Sequence, residues 1–220
     1  MRFNCLLALF ATMAPVLLPA QDLVESEVQP EEVPEAAIAS AVEAVAELGK
    51  SVVRGNYQMA LDRMNPKEKK LLAEKMGGLE ALEKKLAEAP AQMERNGVKV
   101  VFSKPKGKPQ AYAVTPVFVK PSEQGGAGGE EGKGRWFYSQ WLVVVPTLTR
   151  YEVRLPTEGD GEQLVRIENL SFQVAVSDRG KDDWTFINGA GLTLGRLRNH
   201  YRTLPADIEF PPVEERQIQN

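Results

Sequence analysis

From Arg135 to Leu155 the chain reads as one unbroken ribbon of strand-forming residues, RWFYSQWLVVVPTLTRYEVRL. Nothing else in the sequence limits the fold so strongly, because alternate side chains of an extended strand point to opposite faces. From Thr147 onward the odd positions Thr147, Thr149, Tyr151, Val153 and Leu155 alternate with Leu148, Arg150, Glu152 and Arg154. The odd set is therefore expected to face a core. Between Trp141 and Val145 both sets are apolar, so that stretch can be covered on both sides. A strand this long has to bend, and Pro146 marks the place.

The segment Gln163–Asp178 is expected to return antiparallel after a turn over Thr157–Glu162. Charge chooses the register. If paired positions sum to 318, Glu152 meets Arg166 and Arg150 meets Glu168 on one face, while Val153 meets Val165 and Tyr151 meets Ile167 on the other. A shift by two sets like charges against each other, and a shift by one mixes the faces. Further along, Phe172, Val174 and Val176 are apolar at even positions, whereas Val165 and Ile167 are odd. This predicts a bulge near Asn169–Ser171. Val98–Phe102 and Gln110–Lys120 read as two further strands around a turn at Lys104–Pro109, with Pro116 confining the second to an edge or a bulge. Ser122–Gly134 holds six glycines without phosphate-loop spacing and reads as a loop. Trp184–Ile187 is a short closing strand, 192–201 a short helix, and 213–220 a polar tail expected to fray.

Before the sheet the period changes to that of a helix. Ile38, Val42, Val45, Leu48 and Val52 line one helical face, started by Pro34 and stopped by Gly55. A short helix is expected over Tyr57–Met64. A third is capped by Asn65 with Pro66 at its first position, buries Leu71, Leu72 and Met76, and is broken by Gly77-Gly78. A last piece carries Leu79, Leu82 and Leu86 and is expected to end before Pro90. The lysines here alternate with Glu68, Glu74, Glu80 and Glu83, the pattern of a solvated face.

Residues 1–20 have a single positive charge, an apolar stretch from Cys5 to Leu18 and a small residue at Ala20, which reads as a removable secretory signal. The stretch falls short of the roughly 20 residues that span a bilayer. The mature chain would start at Gln21, carry 26 Lys and Arg against 30 Asp and Glu, and hold no cysteine. That charge argues against nucleic acid as a partner. The expected location is periplasmic or extracellular, in a bacterium, with no membrane span left after cleavage. Residues 21–34 are acidic and proline-bearing and read as a disordered linker, leaving 35–212 as a single domain.

Helices followed by a long, bent antiparallel sheet make an α+β fold. Gly55-Asn56-Tyr57-Gln58-Met59-Ala60-Leu61 and Met64-Asn65-Pro66 resemble the G-x-Y-x-x-A-L … M-x-P segment of exported bacterial members of the nuclear-transport-factor-2-like superfamily. Asp183–Gly189 resembles the closing strand of that group. The resemblance implies a cone-shaped sheet wrapped around the helices, with any site inside the cone. It does not carry a function with it.

No catalytic residue, cofactor or metal site is expected: the chain has one histidine, His200, on a short helix, and no Cys/His cluster. Within the cone, Trp141, Thr147, Thr149, Tyr151 and Asn169 are the candidate wall of a ligand cavity. On the outer face, Trp136, Tyr138, Leu142, Val144 and Leu148 would form an apolar interface. Function is thus expected to be non-enzymatic binding, of a protein or a small apolar ligand, as a monomer or as a homodimer through that outer face. Alternatives are a ligand carrier, or a cavity enzyme of the isomerase or dehydratase type using Asp62 or Glu168.

Overall fold

The computed structural model of the protein describes residues 32–119, 135–157 and 161–218, with the side chains of 116–119 and 135–137 outside that description. The expected signal segment, most of the linker and the glycine-rich loop lie outside the described residues. Val33, inside the expected linker, is already buried in the core. Four helices come first: α1 (Glu35–Val53), α2 (Gln58–Asp62), α3 (Pro66–Met76) and α4 (Leu79–Arg95). Strands β1 (Val98–Pro105), β2 (Gln110–Val119), β3 (Arg135–Pro156), β4 (Glu162–Asp178) and β5 (Thr185–Asn188) follow, then α5 (Leu194–His200) and β6 (Glu214–Ile218). The fold is mixed α+β around an antiparallel six-stranded sheet.

The helix boundaries follow local chemistry. Gly55 ends α1 at φ 78°. The Asn65 side chain accepts a hydrogen bond from the Lys67 amide and caps α3, with Pro66 at the first turn. Gly77 stops α3 in the left-handed region. Pro90 does not end α4, contrary to expectation. The helix runs through it to Arg95, because the apolar stripe of Leu82 and Leu86 continues past the proline to Met93. Leu79, at the start of this helix, is half exposed.

The β3–β4 pairing holds the 318 register from Gln140↔Asp178 to Pro156↔Glu162 without a shift. Glu152 meets Arg166 and Arg150 meets Glu168, as their charges require. The bulge expected near Asn169–Ser171 is therefore absent from this ladder. The apolar residues change parity for another reason: the sheet is covered on both sides at this end. On one face α1 packs over Trp141, Val143, Val145 and Ala175. On the other, Leu142, Val144, Phe172 and Val174 lie under α5 and the segment around Tyr201 and Leu204. Each fully buried Leu, Val or Phe side chain contributes about 1.5–3 kcal/mol, so two-sided cover makes this the strongest part of the molecule.

Pro146 lies where β3 changes partner on one edge. Residues 135–144 of β3 pair with β2, and 147–153 pair with β1. At the junction the missing proline N–H costs no ladder bond, and the Pro146 carbonyl accepts from the Lys106 amide at 2.8 Å. The tail is not frayed as expected. Residues 214–218 add to β4, opposite 166–170. Their side chains are nearly all exposed, and Arg216 reaches the buried Glu168 carboxylate, Nε donating at 3.1 Å.

Candidate ligand cavity

Among the described residues the second half of β3 has helices on its odd face only, and there packing leaves a gap. A cavity of about 300 Å³ lies between α1, α2, α3 and the odd face of the sheet. Its helical wall is apolar, with Val45, Leu48, Val52, Met64 and Leu72. Its sheet wall is polar, with Ser103, Thr147, Thr149, Tyr151, Gln173 and Asn188. This follows from the strand pattern: odd positions of β3 and β4 face α1, and here they carry hydroxyls and an amide instead of valines.

Three expected wall residues, Thr147, Thr149 and Tyr151, come together. Trp141 does not join them. It is packed under α1 in the core, with the Arg179 guanidinium 5.1 Å from its ring centre. Asn169 is half-buried and pairs with Thr149 and Glu215 without lining the cavity. The sequence reading missed Ser103, Gln173, Asn188 and Glu68. Gln173 was legible as a polar residue between Phe172 and Val174, but the expected bulge hid which face it takes. Asn188 fell just past the expected closing strand, and Glu68 read as part of a solvated face.

The polar wall is only partly self-satisfied. The Ser103 and Thr149 hydroxyls are 3.2 Å apart, and Asn188 Oδ1 accepts from the Ala190 amide at 2.9 Å. The Thr147 and Tyr151 hydroxyls and the Gln173 amide make no hydrogen bond among the described residues. Burial pushes the Tyr151 phenol above its ordinary pKa, and the charge of Glu215 and nearby Tyr57 add to this. It is therefore a neutral hydroxyl at physiological pH.

Glu68 is the one charged side chain on the wall. It sits at the third position of α3 and is buried, 6 % exposed. Arg196 from α5 donates to its Oε1, and His200 Nε2 lies 3.6 Å from Oε2 without a hydrogen bond. Glu68 Oε2, Arg196 Nε and His200 Nε2 are buried without partners. The cluster ties α5 to α3, beside the bond from Lys67 Nζ to the His200 carbonyl at 2.8 Å.

Cavity 300 Å³ in volume meets a larger, open cleft of about 1070 Å³ at Val52 and Val100, which line both. The cleft runs between the ends of α1 and α4 and the β3–β4 hairpin, with Tyr57, Met93 and Leu164 among its lining residues.

The two carboxylates weighed for catalysis are elsewhere. Asp62 is exposed and accepts from Gln58 Nε2 at 2.8 Å. Glu168 is at an even position, on the face away from the cavity, between Arg150 and Arg216. The Arg216 and Arg150 guanidiniums hold its carboxyl below the usual range. Among the described residues no group of three His, Cys, Asp or Glu side chains is placed to hold a metal ion.

The expected outer interface is also corrected. Leu142, Val144 and Leu148 are buried, at 0 %, 0 % and 3 % exposure. The chain's own C-terminal segment covers Leu142 and Val144. Tyr138 packs against the core on the α1 side. The β2–β3 pairing skips Thr115, whose φ of 57° breaks the regular ladder just before Tyr138 is reached. The Trp136 side chain lies outside the description. Among the described residues no helix is long and apolar enough to cross a membrane. No protein-family model, no curated protein and no solved structure matches this chain.

Proposed function

We propose that this chain is an exported, non-enzymatic binding domain of nuclear-transport-factor-2-like build that holds a small molecule between its helices and its sheet. One observation carries the reading: an apolar cavity with three unpartnered polar groups, from Thr147, Tyr151 and Gln173, on one wall. Small-ligand sites have this form, apolar for affinity with a few polar groups for orientation. A cavity left dry with such groups would cost about 1–3 kcal/mol for each unmade bond. The cone reading is supported by β1 and β2 sharing one edge of the long β3, with α1 against the face they enclose. The signal-like residues 1–20 support export, with the mature chain starting at Gln21.

Binding by the outer sheet face loses its support, since that face is closed by α5 and the tail. The isomerase-type alternative loses Asp62 and Glu168, since neither carboxylate lines the cavity. The test is native mass spectrometry on the gently purified mature protein. Ala60 also lines the cavity, so a small adduct is expected on the wild type and not on Ala60→Phe, whose ring fills the space. An adduct that survives this substitution, or a bare wild type whose cavity resonances respond to no fragment in an NMR screen, sinks the proposal.

A further inference from the structure

We propose that the cavity selects uncharged ligands, and that Arg196 sets this selection by neutralising Glu68 from behind the wall. The inference rests on the cavity reading above and deepens it. Glu68 is the sole charged residue among those lining the space, and it is buried. Its partner comes from α5, which is outside the lining, so the carboxylate's charge is answered before any ligand arrives. An entering cation finds a carboxylate whose charge Arg196 already answers at Oε1, while Oε2 is closed off from solvent. An entering anion finds that carboxylate and no lining cation. Either ion must give up water without a free counter-charge among the lining residues, which is costly against the apolar helical wall.

The uncharged groups specify what is accepted instead. The Thr147 and Tyr151 hydroxyls donate or accept, and the Gln173 amide does both. Tyr151 stays protonated because burial raises its pKa. The fitting class is a compact molecule with an apolar ring-sized body and a hydroxyl, carbonyl or carboxamide group. The body lies against Val45, Leu48 and Phe186, and the polar group against the sheet. Arg196 is on this reading a specificity-determining residue that never touches the ligand.

Three probes of one shape decide it: 2-naphthamide, 2-naphthoate and 2-naphthylmethylammonium, titrated at pH 7 into the mature protein and followed by NMR. The amide is expected to bind at least about tenfold more tightly than either ion, with shifts at Thr147, Tyr151 and Gln173. Arg196→Met keeps the aliphatic stem and unmasks the carboxylate, so the ammonium should gain about tenfold relative to the amide. Glu68→Gln leaves the guanidinium uncompensated and should move the preference toward the naphthoate, giving a second variant if the first does not fold. If neither folds, the wild-type order decides. Ions that bind as tightly as the amide at the same residues, or a folded variant with unchanged preference, overturn the charge rule alone. Failure of all three probes to bind removes the cavity reading, and the charge rule with it.

Discussion

The two halves of β3 are built from one continuous strand, yet they serve different ends. Trp141–Val145 is covered by α1 on one face and by α5 and the following segment on the other. Among the described residues Thr147–Leu155 has helices on one face only, carries hydroxyls inward, and ends in a tip where Leu155 and Leu164 are 45 % and 41 % exposed. The first half spends every side chain on packing. The second leaves room, and that room is the candidate site. Stability and binding are thus separated along a single strand, with the partner change at Pro146 as the border.

The contrast breaks most readily at Phe172. It is 1 % exposed, and its ring centre lies 4.9 Å from that of Phe210 in the C-terminal cover. Phe172→Ala is expected to lower the unfolding free energy by about 3–5 kcal/mol in a urea titration. A loss below about 1 kcal/mol would mean that the C-terminal cover is loose and the two halves are alike. A smaller effect is expected over the cavity, at Gly49. Gly→Ala inside a helix ordinarily gains up to about 1 kcal/mol. Here a Cβ would come within 2.9 Å of the Ser103 carbonyl oxygen, where α1 crosses β1. Gly49→Ala should therefore lose about 1–3 kcal/mol. A gain instead would show that the helix can lift away and that the cavity's width is not fixed by this crossing.

The register was legible because charge and hydrophobicity agreed: Arg150, Glu152, Arg166 and Glu168 admit one pairing, and the sheet adopts it. Two-sided burial defeated the same logic at Phe172–Val176. Parity identifies a face only when one face is wet, and a strand apolar on both sides mimics a bulge. The cavity was half legible. Thr147, Thr149 and Tyr151 belong to a clean alternation, whereas Gln173 follows the misread switch. Glu68 was not legible at all, since its partner Arg196 lies 128 positions away. The strand 214–218 was hidden for the same reason, its partners being distant charges in place of an apolar pattern.

The smallest effect concerns how that strand is held. In the two-sided half the cover is apolar, while β6 is fastened to the thin half through Glu168, Arg150 and Arg216. Arg150 and Arg216 side chains are 44 % and 63 % exposed, so water and salt screen the attraction. The Glu168 pKa is lowered from 4.5 in the folded state, by Arg216 first and then Arg150. A lowered carboxylate pKa means that the unfolded chain binds the proton more readily. The contribution is therefore fully present above the ordinary value and is lost as pH falls through the folded one. Acidification below about 4.5 should move the backbone amide resonances of 214–218 toward unpaired positions while, in a Trp136→Phe background, tryptophan fluorescence from Trp141 and Trp184 holds. Glu168→Gln should show the released positions already at pH 7, with little further response to acid. If β6 and the tryptophans respond together, the charged fastening and the apolar cover form one cooperative unit, and the division at Pro146 describes packing alone, with no separate stability for the two halves.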